Sequence, residues 1–474
     1  RYMRLLELVP CRDTDPALLA GMGEFLGRRL GKGVVLGKDT PNFVANRIGV
    51  FALFNAMRHM HELGLGVDEV DAVAGKATAR PKSAVFRTAD MVGIDTLVQV
   101  VHHSWQSLPE DEQRDTFRVP DFLEQMVGRG MLGDKEGHGF YRRRKTDEGP
   151  QRQVLDLDGL DYRPLRQADF ASLKAAKKID DPAARIRTVL AGDDPAAEFA
   201  WRNLRDTLIY AVRRIPEIAD GIEQIDRAMR WGFNWELGPF EMLDAIGVSG
   251  FIRRAEADHV EVPEALRGVP GFYRLEKGVK SAWDLAAGQG FRRLTKQTGE
   301  LDLMRLGSAG SRLDGNEECS VHDLGDGVFG LEFHAKMNSI SPAVLDMSLR
   351  AVELAESRGA GLVIGNQGAV FSAGANLAVL ASALDQGRFE EVAGVVSRFQ
   401  QVSMALKYAQ VPVVAAPFNL TLGGACEFCL HAAAVVAHAE TYMGLVEVGV
   451  GILPAGGGTK ELALRAIALA EQYQ

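Results

Sequence analysis

At 474 residues the chain exceeds what a single hydrophobic core serves, so several domains are expected. Apolar residues at 46% and charged residues at 25% describe an ordinary globular protein. The net charge of −9 argues against nucleic acid as a main partner, since phosphate binding needs clustered cations.

No apolar run reaches the ~18 residues of a membrane span. Four scattered cysteines (Cys11, Cys319, Cys426 and Cys429) make no disulfide framework and suit a reducing, cytoplasmic setting. The dense basic run Arg142 to Lys145 reads as a solvated linker face.

In chain order, Leu5 to Val9 reads as a strand, and Asp15-Pro16 opens a helix with an Asp cap and Pro in the first turn. Gly33 to Leu36 is a short buried strand. Strand, helix, strand is the tail of an α/β unit, so the chain is expected to be a piece of a longer one. From Pro41 to about 145 the pattern is helical, with Ile48, Phe51, Ala52 and Asn55 to Met57 at three-to-four spacing and Gly64 and Gly66 at its end.

A second helical block runs from about 186 to 290 and reads as a repeat of the first. Gly66-Val67-Asp68-Glu69-Val70-Asp71 answers to Gly221-Ile222-Glu223-Gln224-Ile225-Asp226, and Asp90 to Gly93 answers to Asp244 to Gly247. The segments near 146–185 and 291–318 are polar and aperiodic, as linkers are. After about 319 strands and helices alternate. Phe329, Leu331 and Phe333 mark a strand, Ser341-Pro342 caps a helix ended by Gly359, Leu362 to Ile364 is a strand, and a helix near 390–408 leads to a strand at Val411 to Ala416. This rhythm implies an α/β domain with a largely parallel sheet.

Some motifs mislead. Gly128 to Gly133 matches the dinucleotide fingerprint letter for letter, but it follows a helical segment and leads into a turn rather than standing between strand and helix. Cys426-Glu427-Phe428-Cys429 has redox spacing, yet no second cysteine pair exists to build a metal site. His102-His103 has no third ligand nearby.

Two loops carry more. Phe371-Ser372-Ala373-Gly374-Ala375-Asn376-Leu377 and Leu422-Gly423-Gly424-Ala425-Cys426-Glu427 each join a strand to a helix through small residues that let backbone N–H groups approach a ligand. Either alone would be an ordinary tight turn. Two such groups converging on one oxygen make an oxyanion hole, as a thioester carbonyl becoming an enolate requires. Glu427 lies three residues after Gly424, and Glu447 follows the next strand, ahead of Gly456-Gly457-Gly458. Two carboxylates beside such a site suit proton transfer α to a carbonyl.

These residues resemble the enoyl-CoA hydratase/isomerase (crotonase) family. The resemblance implies oxyanion N–H groups on Ala373 and Gly424 and catalytic glutamates at Glu427 and Glu447. Leu453 to Thr459 is similar to the family's Gly-rich segment, and Met337-Asn338-Ser339-Ile340 to its CoA loop. Asn376 departs from the usual Asp, and Val446 from the usual Pro. The chain stops at Gln474, ahead of the helices that complete the family's pocket and oligomer contacts.

The first part resembles the C-terminal half of 3-hydroxyacyl-CoA dehydrogenases. Lys38-Asp39-Thr40-Pro41-Asn42-Phe43-Val44-Ala45-Asn46-Arg47 is similar to that family's signature, with Asn42 in place of the usual Gly. The resemblance implies an active-site asparagine at Asn46. It also implies a glutamate at Glu7 that orients a histidine lying, with the NAD-binding sheet, before Arg1. Gly133 to Tyr141 is similar to the family's closing motif.

The expected fold is multidomain, α and α/β. Residues 1–38 are the tail of a Rossmann domain, 39–146 a first helical dehydrogenase domain, 147–185 a linker, 186–300 a second helical repeat and 301–474 a C-terminally truncated crotonase-like domain. The resemblances imply a fatty-acid β-oxidation enzyme that hydrates trans-2-enoyl-CoA and oxidises 3-hydroxyacyl-CoA with NAD. CoA enters as part of the substrate, and a homo-oligomer or a thiolase is the expected partner. An enoyl-CoA isomerase and a non-catalytic CoA-binding or assembly module are the alternatives.

Overall fold

A computed structural model describes residues 3–146, 149–288, 290–295 and 301–472. These form two compact units, Arg1–Arg274 with Ser281–Leu294, and Leu275–Lys280 with Thr295–Gln474.

The first unit opens with β1 (Leu5–Leu8), α1 (Pro16–Leu30) and β2 (Gly33–Leu36), the two strands pairing in parallel. Asp15 caps α1 by accepting from the Ala17 N–H at 2.8 Å. The first helical block is α2 (Ala45–Leu63), α3 (Val67–Val73), α4 (Phe86–Val92), α5 (Ile94–Ser107) and α6 (Asp121–Gly128). Gly64, with φ of 63°, ends α2 in a conformation that suits glycine.

Where a linker was expected, β3 (Tyr141–Thr146), β4 (Gly149–Asp156) and β5 (Asp161–Pro164) form an antiparallel sheet, followed by α7 (Ala171–Ala176). The sheet buries little beyond Gln153, Val154 and Leu155 and turns Arg143, Arg144 and Arg152 to solvent, so its composition is that of a loop. Arg142 to Lys145 is therefore a strand rather than a linker face.

The second helical block is α8 (Pro182–Leu190), α9 (Pro195–Arg213), α10 (Ile222–Gly232), α11 (Pro239–Ile246) and α12 (Val248–Ala257). Its sheet is β6 (Tyr273–Glu276), β7 (Val279–Trp283) and β8 (Phe291–Arg293). Both blocks share one core, in which Phe51 of α2 stacks on Tyr210 of α9 with ring centres 3.9 Å apart.

The duplication extends to the buried polar contacts. Asp71 accepts from the Val85, Phe86 and Arg87 N–H groups and the Tyr141 hydroxyl, and Asp226 accepts from the Phe240 and Glu241 N–H groups and the Tyr273 hydroxyl. Asp90 holds the Phe140 and Tyr141 N–H groups as Asp244 holds those of Phe272 and Tyr273. Asp68 pairs with Arg163 on β5 as Glu223 pairs with Arg292 on β8.

The second unit contains α13 (Leu303–Ser308), β9 (Arg312–Gly315), β10 (Cys319–Gly325), β11 (Val328–Phe333), α14 (Pro342–Arg358), β12 (Gly361–Ile364), α15 (Leu377–Asp385), α16 (Phe389–Tyr408), β13 (Val413–Ala415), β14 (Leu420–Leu422), α17 (Gly424–His431), β15 (Ala434–Val435), β16 (Tyr442–Gly444) and α18 (Gly458–Gln472). Part of the second expected linker is thus ordered as β8, α13 and β9, while 296–300 lie outside the described residues. A six-stranded sheet runs β15-β13-β12-β11-β10-β9, parallel from β11 to β15 and antiparallel through β10 and β9. Helices α14, α16 and α17 cover it with Val344, Leu345, Val402, Leu406 and Phe428. A separate parallel pair, β14 and β16, leads into the two segments that carry Glu427 and Glu447.

Candidate active site

Two loops of the second unit are laced together by backbone hydrogen bonds. Ser372 N–H donates to Leu420 O and Leu422 N–H to Ser372 O, which brings the 371–377 loop alongside the start of α17. Gly374 sits at the crossing with φ of 87°, and a Cβ there would lie 2.5 Å from Leu422 O, so only glycine fits. Asn338 supports the first loop from beneath, its side-chain amide donating to Val370 O at 2.9 Å.

The geometry corrects one expectation. The Ala373 N–H donates to Met337 O at 3.1 Å and is not free to receive an oxyanion. Two residues on, the Ala375 N–H has no acceptor among the described residues, and neither has the Gly424 N–H at the first position of α17. A Cβ built on Gly424 would lie 3.7 Å from Ala375 N, so the two unengaged donors are neighbours. The sequence held the signal, because Gly374 redirects the chain and changes which of its neighbours presents an N–H to the loop's open side.

Glu427 is 3% exposed on α17, and its Oε1 accepts from the Gly458 N–H at 2.8 Å. That donor is the first residue of α18, so the carboxylate lies at a helix N-terminus, where the helix dipole favours an anion. Burial raises its pKa, the Gly458 and Gly456 N–H groups oppose this, and the nearby Glu447 carboxylate raises it further. Glu447, 8% exposed, begins the turn after β16. Its Oε1 lies 3.2 Å from where a Gly423 Cβ would stand, and its buried Oε2 has no partner among the described residues. The structure therefore brings Glu427, Glu447 and Gly424 together, with Ala375 in place of Ala373.

Two supporting residues carried no separate sequence signal. Phe399 of α16 packs so closely that a Cβ on Gly424 or Gly456 would lie 2.8 or 2.3 Å from its ring, which restricts both positions to glycine. His431 binds the Glu427 carbonyl through Nδ1 at 2.7 Å. The C-x-x-C cysteines are buried and free on α17, with burial pushing Cys426 to about 11 and Cys429 to about 12, the signature of inert thiols.

In the first unit Glu7 and Asn46 both lie at the start of α2. Glu7 accepts from the Val44 N–H at 2.8 Å and the Ala45 N–H at 3.1 Å, so both its oxygens are engaged at a helix N-terminus. Burial raises its pKa against those two donors. Asn46 is exposed in the helix's first turn. Asn42 takes φ of 65° and Phe43 takes 50°, and the Asn42 amide binds Ser104 Oγ at 2.6 Å. Asparagine can replace glycine at such a position because it tolerates left-handed backbone.

The described residues do not fit an NAD pyrophosphate. Asp15 already places a carboxylate at the α1 N-terminus and Pro16 removes a donor, while Gly128 to Gly133 runs from the end of α6 into a turn. No group of three His, Cys, Asp or Glu among the described residues could hold a metal ion, and no described helix is long and apolar enough to cross a membrane.

Comparison with known proteins agrees with this division. Residues 43–143 match the family model of the 3-hydroxyacyl-CoA dehydrogenase C-terminal domain, and residues 324–471 match that of enoyl-CoA hydratase/isomerase. A probable 3-hydroxyacyl-CoA dehydrogenase of Bacillus subtilis is 41% identical over 467 residues, which are 98% of this chain and 58% of that protein. A Rickettsia felis protein named for a fatty acid oxidation complex trifunctional enzyme is 27% identical over 98% of this chain and 61% of its own length. A Deinococcus radiodurans relative, also named a probable 3-hydroxyacyl-CoA dehydrogenase, is 43% identical over 152 residues, covering 32% of this chain and 43% of that protein. The chain thus spans about 60% of the length of the first two relatives. Helical residues 43–143 belong to the 3-hydroxyacyl-CoA dehydrogenase C-terminal domain family, and α/β residues 324–471 belong to the enoyl-CoA hydratase/isomerase family.

Proposed function

We propose that this chain is part of a fatty-acid β-oxidation enzyme and that its second unit hydrates trans-2-enoyl-CoA. One observation carries the reading: two buried glutamates lie beside two neighbouring N–H groups that have no acceptor among the described residues. Ala375 and Gly424 would bind the thioester oxygen and stabilise it as an enolate. Glu427, held as an anion by Gly458 N–H, would take a proton from water as its oxygen adds to C3. Glu447, with an unpartnered Oε2, would deliver a proton to C2. Separate acid and base roles require different protonation states, and the two carboxylates differ in hydrogen bonding.

The first unit would serve oxidation of the resulting 3-hydroxyacyl-CoA. NAD would supply hydride acceptance from residues other than those described. Here Asn46 would meet the substrate, and Glu7, already spent on the α2 N-terminus, would fix the approach of β1 to α2 and orient a histidine. A homo-oligomer is the favoured assembly, supported by the exposed Leu462, Leu464, Ile467 and Leu469 of α18. Association with a thiolase and a cytoplasmic location fit the same chemistry.

The test is the enoyl thioester absorbance of short- and long-chain trans-2-enoyl-CoA with the full-length protein and its Glu447→Gln variant. Hydration should consume the absorbance, and the variant should lose about 10³-fold or more in kcat, the scale of a removed general acid combined with disrupted electrostatics. Isomerisation of 3-enoyl-CoA without hydration would replace the hydratase reading by isomerase. CoA binding without turnover would replace it by a binding module.

A further inference from the structure

The helix whose N-terminus holds Glu427 is anchored in an unusual way. Between residues 458 and 471 of α18, only Gly458 and Glu461 are buried; Leu462, Leu464, Ile467 and Leu469 are exposed. Among the described residues the apolar side chains of α18 pack into no buried core, and polar contacts join the helix to α16 and α17. Glu461, 4% exposed, accepts from Lys407 Nζ of α16 at 2.6 and 2.8 Å. Lys460 Nζ stands 2.9 Å from the same carboxylate and His431 Nε2 stands 3.6 Å away. The Glu461 N–H donates to Gly457 O at 3.1 Å, which ties this anchor to the glycine turn beside Glu427. A second tether, Arg465, donates to Leu430 O and Ala432 O at the end of α17.

We propose that the Lys407–Glu461 ion pair is a positioning device for Glu427, fixing the first turn of α18 so that the Gly458 N–H stays on the Glu427 carboxylate. Lys407 and Glu461 touch no reacting atom in this role; they act through Gly458. The same helix α16 carries Phe399 against Gly424 and Gly456, so one element sets the oxyanion loop and the glycine turn together. Losing the pair leaves α18 with Arg465 and Gly458 as its tethers. Burial of Glu427 is then less opposed by an N–H donor, and its carboxyl titrates at higher pH.

The inference rests on the hydratase reading, and the experiment separates the two. In the full-length protein, Glu461→Gln and Lys407→Met are each expected to lower kcat for hydration about tenfold, the scale of one charge-assisted hydrogen bond. KM should stay within about twofold, because substrate binding does not change, and the acid limb of the pH profile should move upward. Lys407→Arg, which keeps the charge, should retain most of the activity and the original limb. Difference infrared spectra of the Glu427 carboxyl, with Glu427→Gln as blank, follow the same titration without turnover. An unmoved Glu427 titration in both Glu461→Gln and Lys407→Met overturns the proposal. So does a loss that Lys407→Arg shares in full. If the unaltered protein does not hydrate, the hydratase reading falls, and the infrared shift alone decides the positioning role.

Discussion

Glu427 is held between two opposing influences: burial, which disfavours its charge, and the Gly458 and Gly456 N–H groups at the head of α18, which favour it. Burial wins, so its pKa in the folded protein lies above the free value. A carboxylate raised in this way stabilises the fold below its free pKa, and that stability is lost as pH rises through the folded pKa. Glu427→Gln should therefore raise the unfolding midpoint at pH 7, by about 2–4 °C on the scale of a domain this size, and change it little at pH 4. Thermal unfolding at the two pH values checks this. A lower midpoint at pH 7 would mean that the Gly458 hydrogen bond outweighs desolvation. The same group should place the acid limb of hydration above the free glutamate value.

At the scale of elements, the helical duplication is carried by buried aspartates more than by surface sequence. Asp71 and Asp226 each gather backbone N–H groups from the start of the following helix (α4 or α11) and a tyrosine hydroxyl from the first strand of the following sheet (β3 or β6). An aspartate accepts on both oxygens, whereas an asparagine turns an NH2 toward donors and leaves them unsatisfied. Burial raises both carboxyls, Asp71 to about 6, but four donors converge on Asp71 and three on Asp226, more than an amide oxygen can satisfy. Asp71→Asn and Asp226→Asn should therefore each destabilise the first unit by about 2–3 kcal/mol, measured by urea unfolding. A change below about 0.5 kcal/mol at either site would show that its network is not structural.

At the scale of the whole molecule, two separate cores imply separable unfolding. Calorimetry of Asp71→Asn should lower one transition and leave the other in place, and Glu427→Gln should move only the second. Below the lowered transition, Asp71→Asn should still hydrate enoyl-CoA at the unaltered rate. A single transition displaced by both variants would show that the units fold as one.

Periodicity, caps and spacing were enough to determine the helices of the two repeated blocks and the alternation of strands and helices after Cys319. They did not determine the β3–β4–β5 sheet or the β6–β7–β8 sheet, which falls largely in a stretch expected to be helical. Asp15-Pro16, Gly64 and Ser341-Pro342 act through local backbone chemistry, and the aligned Gly66–Asp71 and Gly221–Asp226 segments expose the duplication without any tertiary knowledge. Glu427 and Glu447 were legible for the same reason, since each is fixed within a few residues of a glycine turn. Tertiary structure alone decided the rest. The β3–β4–β5 sheet reads as a loop because it buries almost nothing, and its pairing depends on partners across the chain. Ala373 could be told from Ala375 only once Met337 O was in place to take the first N–H. The anchoring of α18 by Lys407 and Glu461 joins residues 54 positions apart, a contact that no local pattern encodes.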